Sequence, residues 1–406
     1  MILPREVDPA AARVLAARAL RAFGDGYVAV LLPAYLLALG LGEVEVGLIS
    51  TVTLLGSAAA TLAVGSLGGR VAQSRLLSVG AFLMIATGVG FAGISSFWPL
   101  LVIAFFGTLN PSGGDVSLFL PLEHARLAAY SSEGSRTALF ARYSLAGYFF
   151  GALGALAAGV PDLLAKVGGM ERLVAMRAMF AVYAAFGVAV WILYRAPRIG
   201  LSETGHGAGH APLRESRGIV LKLAALFSID SFAGGLVVHS LLALWLLERF
   251  GMSLAAVGTF FFWTGLLSAA SQLAAASIAQ RIGLLNTMVF THIPSSIFLI
   301  AAALSPSLGM ALTFLVLRSA LSQMDVPTRS AYVMAVVTPE ERPAAASFTS
   351  VPRSLAAAAG PAITGLMFAA GALAAPLVAC GVLKIGYDLV LLAAFRKIPP
   401  RPANNR

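Results

Sequence analysis

The sequence predicts an all-α polytopic membrane protein, with twelve transmembrane helices in two pseudo-symmetric six-helix bundles. Three observations predict it: the composition, the spacing of apolar runs, and a repeat between the two halves. Of 406 residues, 59% are hydrophobic and 11% are charged, and the mean hydropathy is +0.87. A water-soluble domain carries about 25% charged and about 45–50% apolar residues. So much apolar surface does not fit inside one soluble core of this size. A bilayer removes the difficulty, because helix exteriors can then be apolar too. The 41 glycines agree, since small residues let membrane helices approach closely.

A spanning helix needs about 20 mostly apolar residues. In chain order such runs are read at 14–39, 46–67, 76–94, 98–116, 138–160 and 173–194, then at 220–247, 254–279, 287–304, 310–326, 344–370 and 374–395. Residues 1–194 form the N-terminal bundle and 220–406 the C-terminal bundle. Residues 195–219, with Arg195, Arg198, Arg214 and Arg217, read as a cytoplasmic linker. His206 and His210 lie there among glycines, and a flexible linker explains them better than a metal site. The first 30 residues do not read as a cleavable signal, because Arg18, Arg21 and Asp25 interrupt the apolar run. The single Cys380 excludes an intrachain disulfide.

The formal charge of +10 would suggest nucleic acid for a soluble protein. Here it reads as a topology signal. With the N-terminus inside, the outer loops carry only Lys166, Arg172 and Arg249, with Arg177 at a helix mouth. Arg318 and Lys384 lie within spans. Of the 28 Lys and Arg residues, 22 then remain at or near the inner side. Both termini are expected in the cytoplasm, in a cell (inner or plasma) membrane, with no nucleic-acid partner.

The halves match at a nearly constant offset. Gly47 and Gly258, Arg70 and Arg281, Arg142 and Arg353, and Gly154 and Gly365 are each 211 apart, and Asp115 and Asp325 are 210 apart. Asp25 and Asp230 are 205 apart, and an insertion near 245–251 accounts for the difference. A parallel repeat of six helices places a solute site at midplane.

The residues around the second offset pair carry a family likeness. One half reads Gly65-Ser-Leu67-Gly-Gly69-Arg70-Val-Ala72-Gln-Ser-Arg75, the other Ala276-Ser-Ile278-Ala-Gln280-Arg281-Ile-Gly283. Over nearly its whole length the chain resembles the major facilitator superfamily, whose loop between helices 2 and 3 has the pattern G-x-L-a-D-r-x-G-r-[RK]. The acidic position is Gly69 in one half and Gln280 in the other, which departs from the family's usual charge pairing at the inner gate. Glu133-x-x-Arg136 and Glu341-Arg342 are similar to the family's acidic-Arg start of helices 5 and 11. The resemblance implies a monomeric secondary transporter working by alternating access, with helices 1 and 7 lining the cavity.

Ionisable groups within spans are costly, about 2.5–3.5 kcal/mol each on insertion scales, and are functional candidates by default. Asp25, between Gly24 and Gly26, and Asp230 are candidates for binding a proton or a cationic solute. His239 is a candidate because imidazole titrates near physiological pH, the alternative being a hydrogen-bonded structural histidine. Tyr27 is a candidate cavity residue. Arg318 reads as a mid-depth cation. Asp325, seven residues on, shares its face, and Arg318 could pair with a carboxylate across the bundle or attract an anionic solute. Asp115, Asp325, Arg142 and Arg353, with Arg70 and Arg281 in the matching loops, form a candidate inner gate, against the alternative of snorkelling interfacial charges. Lys384 and Asp388 are four apart and are expected to pair on one helix face. His292 and Gln272 show no partner in the sequence.

No phosphate loop Gly-x-x-x-x-Gly-Lys-Ser/Thr, nucleophile elbow or Cys/His metal spacing is present. The expectation is therefore a transporter rather than an enzyme, with no cofactor. Its partners are a small solute, protons and the bilayer. Proton-coupled efflux by an antiporter is the first reading, and a proton-coupled uptake symporter or an uncoupled facilitator the alternative.

Overall fold

The structure is a computed structural model that describes residues 7–67, 70–112, 117–195 and 213–397. Sixteen α-helices account for nearly all of them. In the first half these are α1 (Ala11–Ala38), α2 (Glu43–Leu67), α3 (Gln73–Gly93), α4 (Phe97–Phe106), α5 (Phe119–Ala129), α6 (Glu133–Ala157), α7 (Val160–Gly168) and α8 (Arg172–Arg195). In the second half they are α9 (Arg217–Gly235), α10 (His239–Phe250), α11 (Leu254–Ile282), α12 (Leu284–Leu304), α13 (Leu308–Ser319), α14 (Asp325–Val336), α15 (Arg342–Ala369) and α16 (Ala375–Phe395). A 3-10 turn at Pro339–Glu341 precedes α15. Among the described residues the one extended pairing is a bridge between Val7 and Ser131.

Twelve membrane crossings map onto these helices. The fourth is α4 with α5, the seventh α9 with α10, and the tenth α13 with α14. The short α7 lies between the fifth and sixth. Its apolar side chains Leu163 and Val167 are exposed, as expected of a helix lying in the membrane interface.

The breaks differ from the continuous runs read in the sequence, and each has a local cause. The fourth crossing stops after Phe106 at Gly107, and Asn110 then closes a turn by accepting from the backbone and hydroxyl of Ser112 at 3.2 and 2.7 Å. In the tenth crossing, Pro327 sits in the first turn of α14. There its missing N–H costs nothing, because the first turn of a helix leaves that donor unpaired anyway. The seventh opens after Gly234-Gly235, with Val238 extended.

Two helix crossings are set by glycine. In the first half a Cβ on Gly154 of α6 would lie 2.0 Å from the Phe23 carbonyl oxygen of α1, and one on Gly26 would lie 2.0 Å from that of Gly151. In the second half a Cβ on Gly235 of α9 would lie 2.1 Å from the Ala357 oxygen of α15, and one on Gly360 would lie 2.3 Å from the Gly235 carbonyl carbon. Crossings one and five, and seven and eleven, thus meet backbone to backbone, as small residues allow where apolar lipid cannot drive association.

The chain forms two compact units. One comprises Met1–Gly207 with Val238–Trp263, the other Ala208–Val237 with Thr264–Arg406. The dividing points fall at the break between α9 and α10 and within α11. By packing, α10 therefore belongs with α1 and α2, whereas α9 packs on α15 and α16.

Candidate functional site

Among the described residues each unit holds a buried ionic cluster, assembled from its first helix and the second segment of its broken fourth crossing. In the first unit the buried face of α5 is Phe119, Leu122, Glu123, Arg126 and Leu127, the i, i+3, i+4, i+7 stripe of an amphipathic helix. Glu123 is fully buried. It accepts from the Arg21 guanidinium on α1, from the Tyr194 hydroxyl on α8, and from the Tyr143 hydroxyl on α6 at 2.5 Å. Arg21 also lies over the Phe119 ring at 4.1 Å, and Arg18 over the Tyr143 ring at 5.2 Å. One carboxylate thus ties four helices together.

In the second unit the buried face of α14 is Asp325, Thr328, Arg329, Tyr332, Val333 and Val336. The polarity of the inter-helix pair is reversed: the acid, Asp230, is on the first helix of the unit, and the guanidinium, Arg329, is on the broken crossing, 3.1 Å away. Arg329 also pairs with Asp325 one turn before it. The other oxygen of Asp230 accepts from the Lys384 ammonium of α16 at 2.6 Å. That ammonium lies 3.3 Å from Nε2 of His292 on α12, whose Nδ1 lies 2.9 Å from the Asp388 carboxylate. A continuous polar chain therefore runs Asp388, His292, Lys384, Asp230, Arg329, Asp325. All six side chains are buried or nearly so. Lys384 is the most exposed, at 12%. Such a network holds charge in an apolar setting only because each member is paired.

Asp25 is half-buried on α1, with the Tyr183 hydroxyl 3.5 Å from its Oδ1 and the aromatic pair Phe23 and Phe186 on the same stretch of α1 and α8. Tyr27 is fully buried and donates to the Met179 carbonyl at 3.0 Å, which places its hydroxyl in the packing of α1 on α8. The Nδ1 of His239 lies 2.5 Å from the Ser112 carbonyl oxygen. Arg353 donates to the Ser231 hydroxyl at 3.1 Å, and its guanidinium shares the Phe227 ring with Arg329, at 6.0 and 5.4 Å. Arg70 and Arg281 are exposed, and Arg142 is half-buried on α6. Asp115 lies outside the described residues, as do Gly69, Arg198, His206 and His210.

One expected pair and one expected shared helix face differ from the structure. Lys384 and Asp388 were expected to neutralise each other, but the His292 imidazole stands between them, and Lys384 reaches Asp230 instead. Arg318 and Asp325 were expected on one helix face. The break at 320–324 separates them, and Asp325 pairs with Arg329. Among the described residues no carboxylate lies within ion-pair distance of Arg318.

Glu123, Arg21, Arg329 and His292 were not singled out from the sequence. The signal was present in α5 and α14: charges at positions 123, 126, 325 and 329 fall on the apolar stripe rather than opposite it. For His292 the sequence holds no signal, because its partners lie 92 to 96 residues away.

Outside the membrane segments, the Glu341 carboxylate accepts from the backbone N–H groups of Arg214 at 2.6 Å, Glu215 at 2.9 Å and Ser216 at 2.9 Å. It therefore closes the N-terminus of α9, where the helix dipole also favours an anion. These donors, the Arg214 N–H foremost, hold its acid constant down to about 2.

Comparison with known proteins agrees with this architecture. Over 414 aligned residues the chain is 26% identical to the uncharacterised membrane protein YJR124C of Saccharomyces cerevisiae, covering 93% of this chain and 92% of that one. Among solved structures it is similar to a bacterial homologue of the human lysosomal transporter Spinster in an inward-facing state, at 17% identity and a TM-score of 0.75, covering 98% of this chain and 100% of that one. It is also similar to the inward-open xylose transporter XylE of E. coli, at 14% identity and a TM-score of 0.73, covering 97% and 98%. At these identities the likeness to the solved structures is one of fold. The profile of the Major Facilitator Superfamily matches residues 14–246 and 224–406, so the chain is an integral membrane protein belonging to that superfamily of transporters.

Proposed function

We propose that the chain is a proton-coupled antiporter that exports a small amphipathic cation by alternating access between the bundles 1–194 and 220–406. The single observation that carries this is Asp25, a half-buried carboxylate on α1 whose Oδ1 lies 3.5 Å from the Tyr183 hydroxyl, on a stretch of α1 and α8 that also carries the Phe23 and Phe186 ring pair. A carboxylate in an aromatic setting suits a cation with an apolar body. The same carboxylate can take a proton instead. Because the two cannot be held together, release of one accompanies binding of the other, which is exchange. The buried chain from Asp388 to Asp325 supports coupling, because intramembrane titratable groups that pair with one another mark proton and ion pathways. The remaining assignments follow the same reading: Asp230 within the coupling network, His239 and Tyr27 beside the solute path, and Asp325, Arg142, Arg353, Arg70 and Arg281, with Asp115, at the inner gate. The protein works as a monomer in the cell membrane with both termini in the cytoplasm.

Arg318 favours a second reading, in which the solute is an organic anion, because a guanidinium within a span that has no carboxylate at ion-pair distance among the described residues calls for one.

The test is growth of a host stripped of its own exporters on a panel of toxic cations and anions, with wild type, Asp25→Asn and empty vector at matched expression. Resistance to cations only with the wild type, together with ethidium export driven by a pH gradient in vesicles, is the expected result. Resistance to anions alone selects the second reading. Gradient-driven export unchanged in Asp25→Asn removes Asp25 as the coupling site, and flux indifferent to the gradient identifies a facilitator. Proton-driven accumulation would instead identify an uptake symporter.

A further inference from the structure

The geometry points to a proton-binding site at Nε2 of His292, at which an arriving proton displaces Lys384 and exchanges the partner of Asp230 from α16 to α12. This rests on the proton-coupled reading above and names the atom of the buried chain that takes the proton.

The hydrogen-bond chemistry fixes the resting form. Lys384 carries only donors, so the ring nitrogen facing it at 3.3 Å, Nε2, is the acceptor. The ring proton is then on Nδ1 and is donated to Asp388 at 2.9 Å. The imidazole is neutral and wedged between two side chains one turn apart on α16. Asp230 Oδ1 lies 3.8 Å from the same Nε2, just beyond hydrogen-bond reach and already occupied by Lys384 at 2.6 Å.

A proton delivered by hydronium forms one N–H bond at Nε2 and breaks one O–H bond, leaving a water molecule. The proton removes the acceptor that Lys384 uses, and it sets an imidazolium against an ammonium. The ammonium has to withdraw. Asp230 Oδ1 is then the nearest carboxylate for the new N–H, while Asp388 keeps the Nδ1–H. Loss of the proton to water on the other side reverses each step. Between the two forms, α9 changes its tie from Lys384 on α16 to His292 on α12, which is a discrete two-state contact of the kind that conformational switches use.

Of the charges around His292, Asp230 favours an imidazolium, and Lys384, Arg329 and Arg318 oppose one. Facing His292 are Asp230 from α9, Arg318 from α13, Arg329 from α14, and Lys384, Tyr387 and Asp388 from α16. Asp325 is already committed to Arg329. Lys384, 3.3 Å from Nε2, is the most exposed member of the chain.

The test is nitrogen-15 histidine NMR of the full-length chain in detergent micelles. There are five histidines, and loss of one signal in His292→Gln assigns it. If that variant does not fold, single substitutions of His124, His206, His210 and His239 assign it by elimination. The expected result is a neutral Nδ1–H tautomer at alkaline pH that gains a second proton on acidification. Lys384→Met should move that midpoint to higher pH by about one unit or more, because a like charge opposing the imidazolium is gone. An Nε2–H tautomer, or a midpoint unmoved by Lys384→Met, overturns the assignment. Ethidium-driven proton flux in pyranine-loaded proteoliposomes separates this inference from the reading beneath it. Coupled flux unchanged in His292→Gln sinks the His292 site alone. Absence of coupled flux in the wild type, with the NMR result as expected, sinks the coupling and leaves the site.

Discussion

Lys384 and Asp230 form an ion pair at 2.6 Å across 154 residues of sequence, joining the last helix of the chain to the first helix of its unit. Neither residue is stable alone in an apolar setting. Asp230→Asn should leave Lys384 and Arg329 without their shared anion and destabilise the protein by about 3–5 kcal/mol, the range for breaking a buried pair from one side. The double variant Asp230→Asn with Lys384→Met should recover part of that loss, because an orphaned charge leaves with its partner. Urea or detergent unfolding of the four proteins of the cycle measures it, and strict additivity would show the pair to be uncoupled.

Glu123 makes a comparable junction in the first unit, but through hydroxyls as well as a guanidinium. Tyr143→Phe removes one donor at 2.5 Å without changing shape. A hydrogen bond to a charged group contributes about 1.5–3 kcal/mol, and that loss is expected in the same unfolding assay. A change below half a kilocalorie would mean the carboxylate finds a replacement donor.

The glycine crossings should tolerate no side chain. A Cβ at Gly154 meets a carbonyl oxygen at 2.0 Å, and one at Gly360 meets a carbonyl carbon at 2.3 Å. Both obstacles are backbone, so relief requires the helices to separate. Gly154→Ala and Gly360→Ala should each cost about 1–3 kcal/mol or more and lower the monodisperse fraction in size-exclusion chromatography. Gly93→Ala, with nothing within 4 Å, should behave as wild type. Equal behaviour of all three would refute the crossing geometry.

Glu341 supplies a pH dependence with a definite sign. Its acid constant is about 2 in the folded chain against an ordinary 4.5. A carboxylate whose constant is depressed on folding stabilises fully above its unfolded value and loses that contribution as pH falls towards its folded value. The thermal stability gap between wild type and Glu341→Gln should therefore be constant above pH 4.5 and close between 4.5 and about 2. A gap that widens on acidification would contradict the capping role. The carboxylate closes the start of α9, so the same variant should loosen the junction at Arg214–Ser216, and hydrogen exchange of those three amides reads that directly.

The sequence by itself determined what depends on local composition and period. Apolar runs long enough to cross a bilayer and the 211-residue offset follow from solvent preference and helix length, which neighbours along the chain decide. Asp25, Asp230 and Lys384 were visible for the same reason, as charges where lipid tolerates none. Partnership was not visible. Lys384 and Asp388 sit at the spacing that favours pairing, yet His292, 92 residues away, stands between them. The extents of α5 and α14 hid Glu123 and Arg329 in stretches that read as loops. Which buried charge meets which is decided by the packing of α9, α12, α14 and α16, because in an apolar medium each charge takes the nearest compensating group in space, and only the tertiary structure sets that distance.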